Sequence, residues 1–267
     1  DAESGTPTLN VESSQPWKAM RLILFDIDGT LIYAHGVGHR SFVRAMQSVF
    51  GTAGPHDTYD WRGKTDPWIL RDLMRLAGVP EEVLDARLTE CFDQYICLLE
   101  ALLADGHPVD VLPGTDRLVR ALAAREDVLV GLLTGNVKPG AEAKLRSTGL
   151  LPFFRFGAYG SDDADRRRLP AIARERARAL TGVEIPFADT LIIGDTPLDV
   201  DCARACGAVA VAVATGLHSL SELQAVEPDL VFQDFGDVER SLQQLLTFSP
   251  GSGQVQSGSM RAIQEGS

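Results

Sequence analysis

The stretch RLILFDIDGTLI, residues 21–32, decides how the chain is read. An apolar run that should be a buried strand ends in two aspartates one residue apart, Asp26 and Asp28, followed by Gly-Thr. Like charges this close disfavour each other's ionisation, so the pair is costly unless a cation lies nearby. Carboxylates at the mouth of a hydrophobic strand therefore ask for a compensating partner.

Working outward, short aliphatic runs alternate with longer stretches of helical periodicity. The strand candidates are RLILF (21–25), VLVGLL (128–133), FFRFGAY (153–159), TLIIG (190–194), AVAVAVA (208–214) and DLVFQ (229–233). This rhythm predicts an α/β protein whose parallel strands are joined by crossover helices. Such strands are covered on both faces, which explains runs that are continuously apolar rather than alternating. The rhythm breaks once. From about Ala34 to Val111 no strand is evident, and RSFVRAMQSVF, DPWILRDLMRLAG and EEVLDARLTECFDQYICLLEALLAD repeat apolar residues at helical spacing. A helical cap inserted after the first strand accounts for this. The expected organisation is a core of residues 20–34 and 112–248, a cap of residues 35–111, and disordered tails at 1–19 and 249–267, which are polar or Gly/Ser/Gln-rich. Pro113-Gly114 reads as the turn where the chain re-enters the core. The chain begins at Asp rather than Met, which suggests an incomplete or processed N-terminus.

Composition narrows the function classes. With 267 residues, 45% hydrophobic and 23% charged, the chain has ordinary globular proportions and length for a sizeable core. Its formal charge of −12 argues against sequence-blind binding to nucleic acid or anionic membranes, which needs clustered Lys and Arg. The four cysteines, Cys91, Cys97, Cys202 and Cys206, show no paired CxxC spacing, and no signal peptide or membrane-length apolar run is evident. Buried thiols in a reducing cytoplasm are the expectation.

Ligands of open α/β sheets bind outside the carboxyl ends of the strands, so the residues following each strand matter most. After the first strand comes DIDGT (26–30), after the second TGN (134–136), and after TLIIG the turn GDTPLD (194–199). Each has a bland explanation. Asp-Gly is a common turn, TGN could cap the helix that follows, and GDTPLD holds an N-cap followed by Pro. Three polar clusters ending three strands on one rim form a far more specific pattern.

DIDGTL, LLTGN and GDTPLD resemble the first, second and fourth motifs of the haloacid dehalogenase-like hydrolase superfamily, largely phosphatases and phosphotransferases. The likeness extends over nearly the whole chain outside the tails and is strongest to phosphoglycolate-phosphatase-like members with a helical cap. It implies a Rossmann-like parallel sheet and the following roles. Asp26 would be the nucleophile that forms an aspartyl phosphate, and Asp28 the acid and base for leaving group and water. Asp26, the backbone carbonyl of Asp28, and Asp195 would hold Mg²⁺. Thr134 would donate to a phosphate oxygen, helped by amides at the start of the next helix; Gly135 would let the backbone approach, and Asn136 would contact substrate or cap the helix. The third motif normally supplies a lysine. The corresponding region, GSDDADRRRLPAIARERA, has none, which leaves Arg166, Arg167 or Arg168, with Arg166 favoured. Asp199 would orient that cation or support the metal.

Single residues separate the members of the superfamily. Dehalogenases proper and phosphonatases lack an acid at the position of Asp28, whereas sugar phosphomutases keep it. In the cap, DWRGKTDPW (60–68) offers Arg62 and Lys64 toward an anionic or hydroxylated substrate, and GKTD is similar to a segment of phosphoglycolate-phosphatase-like members; alternatively Thr65 or Asp66 caps a helix while Trp61 and Trp68 pack. His35 and His39 read as solvent or packing residues. The expectation is a cytoplasmic Mg²⁺-dependent phosphatase of a small phosphorylated metabolite such as phosphoglycolate, a monomer or homodimer binding neither nucleic acid nor membrane. The alternatives are a sugar phosphomutase and a catalytically silent binding module.

Overall fold

The computed structural model describes residues 20–249. The predicted tails fall outside that range except for Ser249. Six parallel strands form the central sheet: β1 (Arg21–Phe25), β4 (Val128–Thr134), β5 (Gly157–Tyr159), β6 (Thr190–Gly194), β7 (Val209–Val213) and β8 (Leu230–Phe232). Their order is β5-β4-β1-β6-β7-β8. All six correspond to strand candidates in the sequence, although only the end of FFRFGAY is extended. Its first residue lies in a short 3₁₀ turn, Leu151–Phe153.

Side-chain alternation explains how each strand serves both faces. Ile23 and Phe25 of β1 join a cluster with Leu118 and Leu122, whereas Leu22 and Leu24 join another with Leu169 and Ala173. In β7 the repeat divides by size: Val209, Val211 and Val213 fill the first cluster, and Ala210 and Ala212 lie in the second. Helices α4 (Thr115–Ala123), α5 (Lys138–Arg146) and α9 (Val238–Thr247) cover the first face, and α6 (Leu169–Thr181), α7 (Pro197–Cys206) and α8 (Leu220–Ala225) the second.

Between β1 and α4 lie α1 (Val37–Phe50), α2 (Asp66–Leu76) and α3 (Glu81–Ala104), matching the three helical patterns in the sequence. On α1, Phe42, Ala45, Met46 and Val49 are buried at the i, i+3, i+4, i+7 positions of one face. On α3, Leu84, Cys91, Tyr95 and Leu99 are buried along one face at spacings of seven, four and four. Their apolar cluster is continuous with the one under the sheet. Two short strands, β2 (Ile32–Tyr33) and β3 (Asp110–Val111), pair antiparallel where the chain leaves the sheet for these helices and returns. No such ribbon was expected, because two residues carry no periodicity. Cys91 and Cys202 are buried as expected, but Cys97 is exposed, because it lies on the outer side of α3 away from the Leu84–Leu99 stripe. Trp68 is likewise half exposed rather than packed.

From β1 the chain adds β4 and β5 on one side, then returns to add β6, β7 and β8 on the other. The order reverses between β1 and β6, and the crevice at such a switch point is where open α/β sheets bind ligands. Asp26 and Asp195 follow these two strands, and the Asp26 N–H continues the ladder to the Ile193 carbonyl at 2.9 Å.

Candidate active site

Asp26, Asp195 and Asp199 are buried together, with one carboxylate oxygen of each within 4.8 Å of the others. The compact turn after β1 allows this. Gly29 has φ +81°, and a Cβ there would overlap the Asp195 carboxylate. Gly216 presses on the same carboxylate from the loop after β7. Thr30 donates to Asp195 Oδ1 at 3.3 Å.

Arg166 enters this acidic cluster. Its Nη2 lies 3.3 Å from Asp26 Oδ2 and closer to Asp199 Oδ1, and Nη1 donates to the Gly63 carbonyl at 3.1 Å. Burial pulls its pKa down, but Asp199 and Asp26 outweigh burial and hold the guanidinium firmly protonated. The neighbouring arginines point outward: Arg167 pairs with Asp201 and Arg168 with Asp163 at the surface. Asp199 is held from the other side, its Oδ2 accepting from the Thr196 N–H at 3.0 Å and the Thr196 hydroxyl at 2.6 Å in the capping box that starts α7.

The electrostatics suit a hard cation. Burial pushes the Asp26 carboxyl up to about 6 although Arg166 pulls it down. Asp195 is also raised well above its ordinary value, first by burial and then by Asp199 and Asp26. Asp195 has no basic side chain within salt-bridge range among the described residues, and Arg166 alone faces three acids. An all-oxygen donor set with surplus negative charge fits a divalent metal. Because Arg166 and Thr196 already occupy both Asp199 oxygens, Asp26 and Asp195 are the carboxylates free to face it.

Asp28 turns away from this cluster. Its Oδ2 accepts from Lys144 Nζ at 2.7 Å and from Asn136 Nδ2 at 2.9 Å. Asn136 also donates to Thr134 Oγ1 at 2.8 Å and accepts from Lys144 at 2.7 Å. All the polar groups of this amide are therefore engaged, and it orients three neighbours rather than capping α5, whose N-cap is Val137. Two of the amides at this helix start have partners within the protein. The Val137 N–H donates to Asp66 Oδ2 and the Lys138 N–H to Ser161 Oγ, so both are already used.

Gly135 admits backbone, as expected, but that of the helical insertion. A Cβ there would overlap the Lys64 carbonyl, and its own carbonyl accepts from the Asp66 N–H at 2.8 Å. Thr65 caps α2, and its hydroxyl donates to the Ala164 carbonyl at 2.7 Å. Arg62 and Lys64 line the cavity without reaching the acids: Arg62 binds Asp60 and Lys64 sits 3.9 Å from the centre of the Tyr59 ring. The cavity, about 340 Å³, lies between the strand ends and the helices of the insertion.

Sequence reasoning missed Lys144. Its signal was nonetheless present, since Gly140, Ala141, Lys144 and Leu145 form one buried stripe of α5 and a lysine there is out of place. Tyr95, hidden in an ordinary apolar stripe, gave none.

Comparison with known proteins agrees with this geometry. The family described as haloacid dehalogenase-like hydrolase matches residues 20–207, and the chain belongs to it. It is 28% identical over 232 residues to the phosphoglycolate phosphatase of Synechococcus elongatus, covering 85% of this chain and 99% of that protein. Over 228 residues it is 25% identical to a protein of Dickeya dadantii described as "Probable phosphatase IndB", covering 85% and 96%. Among solved structures, a hydrolase from Pseudomonas syringae superposes with a TM-score of 0.66 at 20% identity, covering 84% of this chain and 99% of that one, which is a likeness of fold. The chain is thus a hydrolase of this family.

Proposed function

We propose that the protein is a Mg²⁺-dependent phosphatase of a small phosphorylated metabolite, with phosphoglycolate the first candidate. The observation that carries this reading is Asp26, 7% exposed at the sheet's switch point, facing one buried arginine and a second carboxylate, Asp195. Asp26 attacks phosphorus in line, and the bond from phosphorus to the leaving oxygen breaks as the aspartyl phosphate forms. Asp28 gives the leaving oxygen its proton, then takes one from the water that attacks the same phosphorus and frees Asp26. Arg166 steadies Asp26 and balances charge on the transferring group. Thr134, whose oxygen already accepts from Asn136, has its hydroxyl proton left to donate to a phosphoryl oxygen. Lys144 and Asn136 hold Asp28 in place. Asp26, Asp195 and the Asp28 backbone carbonyl would hold Mg²⁺, and Asp199 would orient Arg166. Bound Mg²⁺ supplies charge neutralisation and polarises a phosphoryl oxygen. The segment 35–111 acts as a cap that closes the cavity and excludes water, with Arg62 and Lys64 on its inner wall.

The phosphoglycolate candidate rests on the names of relatives such as that of Synechococcus elongatus. The test is release of inorganic phosphate from a panel of phosphomonoesters with and without Mg²⁺. The expected result is metal-dependent turnover that falls by more than about 1,000-fold in Asp26→Asn, since a covalent route is lost. Full activity in Asp26→Asn would remove the nucleophile assignment. Transfer of the phosphoryl group to a second sugar hydroxyl, rather than to water, would favour the mutase.

A further inference from the structure

Two polar groups on the cavity floor have capacity that the reaction above does not use. The Tyr95 side chain on α3 is 1% exposed, yet its hydroxyl has no hydrogen-bond partner among the described residues. Burial, aided by Asp66 and Asp28, raises the phenol's pKa well above its ordinary value and keeps it a donor. Lys144, 4% exposed, spends two of its three N–H groups on Asp28 and Asn136. Both side chains line the cavity, and they meet at Gly38 of α1. A Cβ on Gly38 would stand 3.1 Å from Lys144 Nζ and 3.6 Å from Tyr95 Oη. The missing side chain leaves open the space the two donors share, next to the carboxylate that protonates the leaving oxygen.

Resting on the phosphatase reading, we propose that Tyr95 Oη and Lys144 Nζ form the leaving-group subsite. Its ligand is a carboxylate carried by the alcohol portion of the substrate, close to the ester oxygen. Two convergent donors, one of them cationic, suit a carboxylate. The Tyr95 hydroxyl opens onto the cavity and spends no bond on another described residue, so it is free to donate to such a substrate. The two nearby acids do not compete for the space. One oxygen of Asp28 is held by Lys144 and Asn136, and one oxygen of Asp66 by the Val137 N–H. The class selected is therefore phosphorylated hydroxy acids, in preference to alkyl or aryl phosphates of similar size.

The experiment measures kcat/KM for phosphoglycolate, ethyl phosphate and p-nitrophenyl phosphate with Mg²⁺, in the intact protein, Tyr95→Phe and Gly38→Ala. Tyr95→Phe removes only the hydroxyl, and Gly38→Ala keeps a helix-compatible backbone while placing a methyl between the donors. The intact protein is expected to prefer phosphoglycolate over ethyl phosphate by at least about tenfold. Tyr95→Phe is expected to lose about 10- to 100-fold on phosphoglycolate, the range of one hydrogen bond to a charged group, while p-nitrophenyl phosphate changes less than about twofold. Gly38→Ala, whose methyl also presses on the lysine that holds Asp28, is expected to lower kcat/KM on every substrate but most on phosphoglycolate. Equal losses on all substrates in Tyr95→Phe would make Tyr95 merely structural and overturn the proposal, as would no loss on any. An intact protein that hydrolyses ethyl phosphate, whose leaving group is also an aliphatic alcohol, as well as phosphoglycolate overturns the subsite while the phosphatase reading stands. Release of phosphate from none of the three would overturn that reading and the subsite with it.

Discussion

Arg166 is the side chain on which most of the site's charge balance depends. Removing one partner of a buried ion pair leaves the other uncompensated, so Arg166→Ala should cost about 3–5 kcal/mol in urea denaturation, despite lying at the site rather than in the core. Asp195→Asn should do the opposite without metal. It removes a buried carboxylate whose pKa is raised by burial and by like charges, so the variant should have a higher melting temperature at neutral pH. A lower one would mean that the hydrogen bonds to Asp195, such as that from the Thr30 hydroxyl, outweigh the cost of its buried charge. His39 gives a pH-dependent case away from the acids. It packs 4.6 Å from the Trp61 ring, and its pKa is lowered by burial first, then by His56 and Arg40, against the pull of Asp57. A base with a depressed folded pKa is protonated less readily when folded than when unfolded. Stability should therefore fall as pH drops through the ordinary 6.5 and level off below the folded value. An NMR titration should place the His39 midpoint below 6.5, and His39→Gln should flatten that part of the stability profile.

At the scale of elements, the start of α7 links helix capping to the site. Thr196 and Asp199 form a reciprocal capping box, and the same Asp199 holds Arg166. Thr196→Ala should cost about 1 kcal/mol from the lost cap, read by thermal or chemical denaturation. Where β4 meets the insertion, Gly135 faces the Lys64 carbonyl, so Gly135→Ala should push the segment before α2 outward. The measurable result is lost turnover together with faster amide exchange at Asp66, whose N–H bonds to the Gly135 carbonyl. Elements this long were legible because periodicity had room to repeat. RLILF, TLIIG and AVAVAVA became β1, β6 and β7 nearly residue for residue. The β2–β3 ribbon was not legible, since two-residue strands owe their existence to the pairing of Ile32 with Val111, which are far apart in the chain.

On the scale of the whole molecule, the fold gathers negative charge where β1 and β6 meet, and a ligand that binds only the folded state should stabilise it by mass action. Mg²⁺ should raise the melting temperature, by an amount equivalent to about 2.7 kcal/mol at 100 times its dissociation constant, and Asp195→Asn should abolish most of that gain. A thermal shift of equal size in both proteins would place the metal elsewhere. By itself, the sequence determined the α/β class, the helical insertion after the first strand, and the rim on which Asp26, Thr134 and Asp195 would gather. Those depend on local periodicity and on the turn chemistry at strand ends, which a chain carries residue by residue. Only the tertiary structure decided which of three adjacent arginines enters the site, that Asp28 turns to Lys144, and that Tyr95 and Lys144 share a pocket under Gly38. Each is a contact between residues far apart in the chain, and its existence depends on how helices pack and which side chains that packing leaves without water.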